Sequence, residues 1–224
     1  MDAHVYIFGG MLRDISLLGA KGFRSDIDVV FDGNRIQLLA SLRLVGVINY
    51  KENKFGGFRV RQGDFDFDIW CVEDTWAFKH DLVSQEGVES LLNTTLMNWD
   101  AILYHFNDKK FIARDGYLND LSRGLIDLIL EKNPNEAGAL VRILRAIYGK
   151  NASVIGERMV DMLRRTLNRN AVDKLIKYEK EHYNDQLINH YKIQCLNEKL
   201  SNIKDGEVLD MQTNAMPKQL RFKL

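Results

Sequence analysis

The sequence predicts an α+β protein, with a mixed β-sheet and flanking helices over residues 1–130 and a smaller all-helical domain over residues 131–224. Three features carry this expectation. Val5-Tyr6-Ile7-Phe8 is an apolar run halted by Gly9-Gly10, and Met11, Leu12, Ile15, Leu17 and Leu18 follow at helical spacing, which reads as strand, glycine turn and helix. Phe58-Arg59-Val60-Arg61 and Asp64-Phe65-Asp66-Phe67-Asp68-Ile69 both alternate apolar and polar about Gln62-Gly63, the signature of a hairpin. From about Ser84 onward the pattern is mostly helical.

Asp26 to Phe31 reads as the second strand, closed by the turn Asp32-Gly33-Asn34, and Ile36 to Leu44 as a second helix on the sheet. In the hairpin, Phe65, Phe67 and Ile69 share one face while Asp64, Asp66 and Asp68 share the other. Ile102 to Arg114 suits a short hairpin around Asn107-Asp108. Within Lys132-Asn133-Pro134-Asn135-Glu136 either Asn133 or Asn135 can cap a helix that begins near Glu136 and runs through Ala139 to Ile147. That helix carries Arg142 and Arg145 on neighbouring surface positions. The domain boundary falls near residue 130. After Asn202 the periodicity fades, so the end of the stretch 196–224, above all Met211 to Leu224, reads as a loose tail or a docking arm.

At 224 residues and 46% hydrophobic content the chain can bury a proper core. Lys+Arg and Asp+Glu balance at 31 each, so no overall charge bias points to nucleic acid or membrane, and any basic surface has to be local. The stretch 142–195 holds eleven Lys/Arg against six Asp/Glu, which suits either a phosphate-facing surface or a solvated helical face. No apolar run approaches the ~20 residues that span a bilayer, and Met1-Asp2-Ala3-His4-Val5-Tyr6 lacks the basic-then-apolar layout of a secretory signal. The expectation is a cytoplasmic protein with no membrane partner. Cys71 and Cys195 stand far apart, with no His or Cys at ligand spacing, which argues for two reduced thiols rather than a disulfide or a zinc site. Trp70, Trp76 and Trp99 read as core first and as base-stacking residues second.

Chemistry gathers at the acids. Side chains two apart on a strand leave from one face, so Asp26 and Asp28 converge while Ile27 and Val29 enter the core behind them. Acids held this close repel unless cations neutralise them. Magnesium suits the task, with manganese as a substitute, because it takes hard oxygen ligands and is commonly held by one or two carboxylates plus substrate phosphates. Two such ions roughly 3.5–4 Å apart stabilise the attacking and leaving oxygens of an in-line displacement at phosphorus. Gly9 and Gly10 let backbone N–H groups approach a triphosphate at the positive end of a helix, a plain tight turn being the competing reading. Lys54, in Asn53-Lys54-Phe55-Gly56-Gly57, suits either a flap near the substrate or a simple strand connection.

In this order, these residues resemble the head domain of the bacterial CCA-adding enzyme and poly(A) polymerase family, within the polymerase-beta-type nucleotidyltransferase superfamily, over roughly residues 5–150. Members open with Gly-Gly-x-x-Arg-Asp, matched by Gly9-Gly10-Met11-Leu12-Arg13-Asp14, and continue with an Asp-x-Asp strand, matched by Asp26-Ile27-Asp28. The resemblance implies a nucleotidyltransferase-type sheet and a two-metal site in which Asp26, Asp28 and Asp68 are the catalytic and metal-binding acids. The superfamily's third acid comes from a neighbouring strand; Asp68 is favoured because it lies just before Ile69-Trp70 near the strand's end, with Asp66 the alternative ligand. Gly9, Gly10 and Arg13 are implied to bind nucleotide. Met97-Asn98-Trp99-Asp100-Ala101-Ile102 is similar to the family's Phe-Thr-Ile-Asn-Ala-Met, which shapes the ribose pocket, and it places the acceptor-only Asp100 where relatives carry an amide. Ala139 to Ala146 resembles Asp-Pro-Leu-Arg-Met-Leu-Arg-Ala and implies that Arg142 and Arg145 clamp the triphosphate. A salt bridge to Asp14 or Asp26 competes with phosphate for Arg13, and pairing with carboxylates on a helix surface competes for Arg142 and Arg145. The Glu-Asp-x-x-Arg element with which CCA-adding members read the base has no clear match, and the sequence ends before the helical body that grips tRNA, so full CCA addition is not expected.

The expected activity is transfer of a nucleoside monophosphate from an NTP, with two Mg2+ ions, to an RNA or tRNA 3′ end, releasing pyrophosphate. A second expectation is a stand-alone toxin or phage-defence nucleotidyltransferase that makes short nucleotide products or modifies a protein or small acceptor, with a small protein partner. A catalytically silent RNA-binding module is the third. The retained Asp26-Ile27-Asp28 argues against it, since clustered acids have no electrostatic use without cations.

Overall fold

The computed structural model describes residues 3–23 and 25–212. The chain divides into two compact units, one ending at Tyr117 and the other beginning at Leu118, so the break comes earlier than residue 130. The first unit contains β1 (His4–Phe8), α1 (Gly10–Leu18), β2 (Ile27–Asp32), α2 (Arg35–Leu44), β3 (Lys51–Glu52), β4 (Phe58–Gln62), β5 (Phe65–Cys71), α3 (Trp76–Lys79), β6 (Ile102–His105) and β7 (Lys110–Ala113). Its strands build a seven-stranded mixed sheet in the order β3-β4-β5-β2-β1-β6-β7. The β2–β5 pair is parallel, because α2 and the β3–β4 hairpin form the crossover between them, and the other neighbours are antiparallel.

Register decides what shares a face. Asp28 stands opposite Asp68 in the parallel pair, and Arg59 stands opposite Asp68 across the β4–β5 hairpin, with Arg61 opposite Asp66. Phe31, Phe58 and Cys71 pack with Leu38 and Leu42 of α2, and Val5 and Ile69 join them. Helix α2 therefore covers one face of the sheet, and Asp28, Asp68 and Arg59, one residue out of phase with that core, leave from the other. The entry of α2 is fixed by a capping box. The Asn34 side chain accepts from the Gln37 N–H at 3.0 Å, and the Asn34 N–H donates to Gln37 Oε1 at 2.9 Å.

Residues 84–100 depart from the helical pattern and carry two 3₁₀ turns, Val88–Asn93 and Asn98–Asp100. The hydroxyl of Thr94 donates to the Leu91 carbonyl at 2.7 Å, and that of Thr95 to the Met97 carbonyl at 3.0 Å. Such local bonds compete with a continuous helix. Leu91, Leu92, Leu96 and Trp99 produce the apolar signal and are all buried.

The second unit contains α4 (Tyr117–Ser122), which starts at the last residue of the first, then β8 (Leu125–Ile126), α5 (Glu136–Gly149), β9 (Val154–Ile155), α6 (Glu157–Thr166), α7 (Arg169–His182), α8 (His190–Ser201) and β10 (Leu209–Asp210). The all-helical expectation is thus corrected: β10, β9 and β8 form a small sheet in that order. Strands of two residues are too short to show alternation, so their apolar members, Ile126, Ile155 and Leu209, look like any other core residue in the sequence. All three are fully buried, alongside Ile143, Leu144, Met159, Leu163 and Leu196. The segment after Asn202 is anchored rather than loose as far as residue 212. Leu209 pairs with Ile155, the Met211 N–H donates to the Ser153 carbonyl at 2.8 Å, and Lys199 Nζ donates to the Met211 carbonyl at 2.7 Å. The rest of the expected tail, residues 213–224, lies outside the described residues. The cap of α5 is Asn135, whose side chain accepts from the Gly138 N–H at 3.0 Å. Among the described residues no helix is long and apolar enough to cross a membrane.

Candidate active site

Two of the acids are brought side by side where β2 pairs with β5, and the third stands just before β2. Asp28 and Asp68 are direct neighbours in register, and Asp26 lies two residues before Asp28, at the entrance to β2. A residue that the sequence reading passed over links Asp26 and Asp68. Arg59 Nε donates to Asp68 Oδ1 at 2.8 Å, and Arg59 Nη2 donates both to Asp68 Oδ2 and, at 2.6 Å, to Asp26 Oδ2. The hydrogen bond to Asp68 holds the Arg59 guanidinium above its ordinary range; partial burial opposes it, and the charges of Asp68, Asp26 and Asp66 reinforce it. Asp66 is tied elsewhere, accepting from Arg61 Nη1 at 3.1 Å. The two-residue turn is Gly63-Asp64 rather than Gln62-Gly63, and the register it fixes sets Arg59 against Asp68 and Arg61 against Asp66, whereas a turn at Gln62-Gly63 would have set Arg59 against Asp66.

Among the described residues, no three His, Cys, Asp or Glu side chains are gathered into a ready-made metal site. A guanidinium stands where the carboxylates converge. Because Asp26 and Asp68 both reach one nitrogen of Arg59, that point is one at which these acids already hold positive charge. Aspartate oxygens from two adjacent strands around such a point fit magnesium or manganese in donor chemistry.

The glycine turn stands at the head of α1. Gly9 has φ +64°, its N–H donates to the Ile102 carbonyl at 2.9 Å, and a Cβ placed on it would lie 3.2 Å from the Asp100 carbonyl oxygen. With the Gly9 N–H so used, the N–H groups open to an anion are those of the first turn of α1, which begins at Gly10. Gly9→Ala should therefore cost about 1–3 kcal/mol, seen as a drop of several degrees in thermal unfolding followed by circular dichroism. Gly10→Ala, whose added Cβ meets nothing nearer than Arg13 Nη2 at 3.6 Å, should not lower the transition and should raise it slightly, since alanine is the better helix former.

Arg13 is 9% exposed and binds two acids, donating from Nε to Asp14 Oδ1 at 2.7 Å and from Nη1 to Asp100 Oδ1. Burial alone pushes this guanidinium down, but Asp100 and then Asp14 outweigh it and leave it above its ordinary range. Of the pairings open for Arg13 the structure forms that to Asp14, adds Asp100, and leaves Asp26 to Arg59. The Tyr117 hydroxyl donates to the Trp99 carbonyl at 3.1 Å, next to Asp100. Burial, with the Asp100 charge second, pushes that phenol well up, so it stays a donor. Trp99 is 1% exposed and belongs to the core.

Arg142 and Arg145 lie on α5, in the second unit. Arg142 is exposed, whereas Arg145 is engaged within its own unit. Its Nη1 donates to Glu179 Oε1 at 2.7 Å, its Nη2 donates to Asp185 Oδ1 at 2.7 Å, and its guanidinium lies 4.1 Å from the Tyr183 ring centroid. Glu179 is 0% exposed and also accepts from the N–H groups of Leu187 and Ile188, so this cluster knits α5 and α7 to the segment after α7. Lys54 lines a cleft of about 360 Å³ with Trp76, Asp74, Lys79 and His80, beyond the C-terminal end of β5 and apart from the acids.

No family model matches the sequence, and no curated protein matches it. Solved structures do match. A tRNA-processing enzyme with CTP aligns at TM-score 0.60 and 21% identity, covering 89% of this chain and 53% of its own. A tRNA nucleotidyltransferase complexed with a primer tRNA and an incoming ATP analog aligns at 0.61 and 22%, covering 89% and 58%. The Thermotoga maritima CCA-adding enzyme complexed with tRNA aligns at 0.64 and 18%, covering 89% and 47%. The chain spans about half the length of these structures. What they share at such identities is architecture, and the fold of this chain is that of the CCA-adding and tRNA nucleotidyltransferase structures.

Proposed function

We propose that the protein is a metal-dependent nucleotidyltransferase that moves a nucleoside monophosphate from an NTP to the 3′ end of an RNA, most simply a tRNA, and releases pyrophosphate. The observation that supports this reading most is the meeting of Asp26, Asp28 and Asp68 on one face of a sheet whose fold is shared with tRNA nucleotidyltransferases. Asp26, Asp28 and Asp68 hold the cations. Magnesium bound there supplies positive charge to stabilise an in-line displacement at the α-phosphate. Asp68 is the acid suited to take the proton from the attacking hydroxyl, which requires hydrogen-bond reach in the loaded site. The first turn of α1 presents backbone N–H groups to the triphosphate, and Gly9 lets the chain turn close to Asp100. Asp100, with one oxygen held by Arg13, offers an acceptor to a ribose hydroxyl.

The test is label transfer. Each α-labelled NTP is incubated with magnesium, a total tRNA pool and either the parent protein or Asp26→Ala/Asp28→Ala. Label is expected in RNA with the parent alone, and equal counts with both proteins would defeat the proposal. Label in protein or in short nucleotide products, again with the parent alone, would move the acceptor away from RNA and toward the toxin or phage-defence reading.

A further inference from the structure

Arg59 enters none of the roles above, yet it makes three hydrogen bonds to two of the acids assigned to the cations. Its position is set by the fold, because the β4–β5 register places its Cα directly opposite that of Asp68. The fork grips both oxygens of Asp68 and one nitrogen reaches on to Asp26, a geometry that a lysine ammonium, a point charge without a planar fork, does not reproduce. Half of the Arg59 side chain is open to solvent, so it can swing away without disturbing the core. The face it covers is the one from which Asp28 also leaves.

We infer that Arg59 is an internal counter-cation that keeps Asp26 and Asp68 neutralised and aligned in the metal-free protein, that a divalent ion must displace it to load the site, and that the released guanidinium then binds substrate phosphate. This rests on the reading of the acids as the metal site. Without a cation the acids would repel one another, and the guanidinium removes that repulsion by occupying their meeting point. A divalent ion concentrates more charge at the same point and replaces both pairings. Displaced from the carboxylates, the same planar fork is suited to two phosphate oxygens.

Mn2+ binding, followed by the electron paramagnetic resonance signal of the free ion without nucleotide, tests this independently of turnover. Arg59→Gln is expected to bind Mn2+ roughly fivefold more tightly than the parent, the scale of two partly exposed ion pairs released from competition. With Mn2+ saturating, its affinity for an NTP should fall by roughly the same factor. Asp26→Ala/Asp28→Ala should lose the Mn2+ site. If Arg59→Gln binds Mn2+ no more tightly than the parent while the double variant loses the ion, the role given to Arg59 is wrong and the metal site stands. If the double variant binds Mn2+ as the parent does, the metal site itself is misplaced and the inference falls with it. An unchanged NTP affinity overturns the transfer of Arg59 to phosphate. Should Arg59→Gln not fold, Arg59→Lys carries the test, with Mn2+ affinity about twofold above the parent expected and equality counting against the inference.

Discussion

Asp28→Asn is expected to lower nucleotidyl transfer by at least about a thousandfold, while thermal unfolding shifts by no more than a few degrees. The exchange keeps the side chain's shape, and Asp28 keeps its strand pairings to Phe8 on β1 and Asp68 on β5, so the sheet has no reason to open. What is lost is one negative charge at the proposed cation site. Charge stabilisation of a transferring phosphoryl group by bound metal is worth several kcal/mol, and each 1.36 kcal/mol is tenfold in rate. Single-turnover label transfer at saturating NTP reads the chemical step directly. A variant within tenfold of the parent would show that Asp28 does not hold a catalytic cation.

Arg13→Met should give the largest loss of stability. Arg13 is the shared cation of Asp14, 5% exposed, and Asp100, and it ties the first turns of α1 to the 3₁₀ turn at Asn98–Asp100. Methionine fills similar volume but leaves two acids at low exposure without that cation, and breaking a buried pair by removing one partner costs about 3–5 kcal/mol. For a chain of this size that is on the order of 10 °C in Tm. Arg13→Lys, which keeps the charge but cannot fork between the two acids, should fall between the two. A shift under about 2 °C for Arg13→Met would mean that the pairing contributes little to folding, and that Arg13 is held there for the ligand.

Much of this was open to reading from the residues. The strand, glycine turn and helix at the start, the β4–β5 hairpin and the Asn135 cap all rest on local chemistry, on turn residues, alternation and capping, which a short window contains. Alternation also put Asp26 with Asp28, and Asp66 with Asp68, on one face of each strand, while the meeting of Asp28 and Asp68 across strands came from the pairing register. Arg59 was hidden although the alternation of Arg59 and Arg61 was visible, because its partners follow from pairing register rather than from sequence distance. The Arg13–Asp100 pair spans most of the first unit, and no local rule joins those positions. Likewise Arg145 carried a motif resemblance, while the carboxylates that engage it, Glu179 and Asp185, lie far along the chain. β8, β9 and β10 escaped because two residues hold no period.

The most direct measurement is anomalous scattering from crystals grown with Mn2+ and a non-hydrolysable NTP. A manganese peak coordinated by Asp26, Asp28 and Asp68 is expected, with Arg59 turned away from Asp68 and the triphosphate beside the first turn of α1. A peak elsewhere, or a bound triphosphate with Arg59 still bridging Asp26 and Asp68, would contradict this expectation.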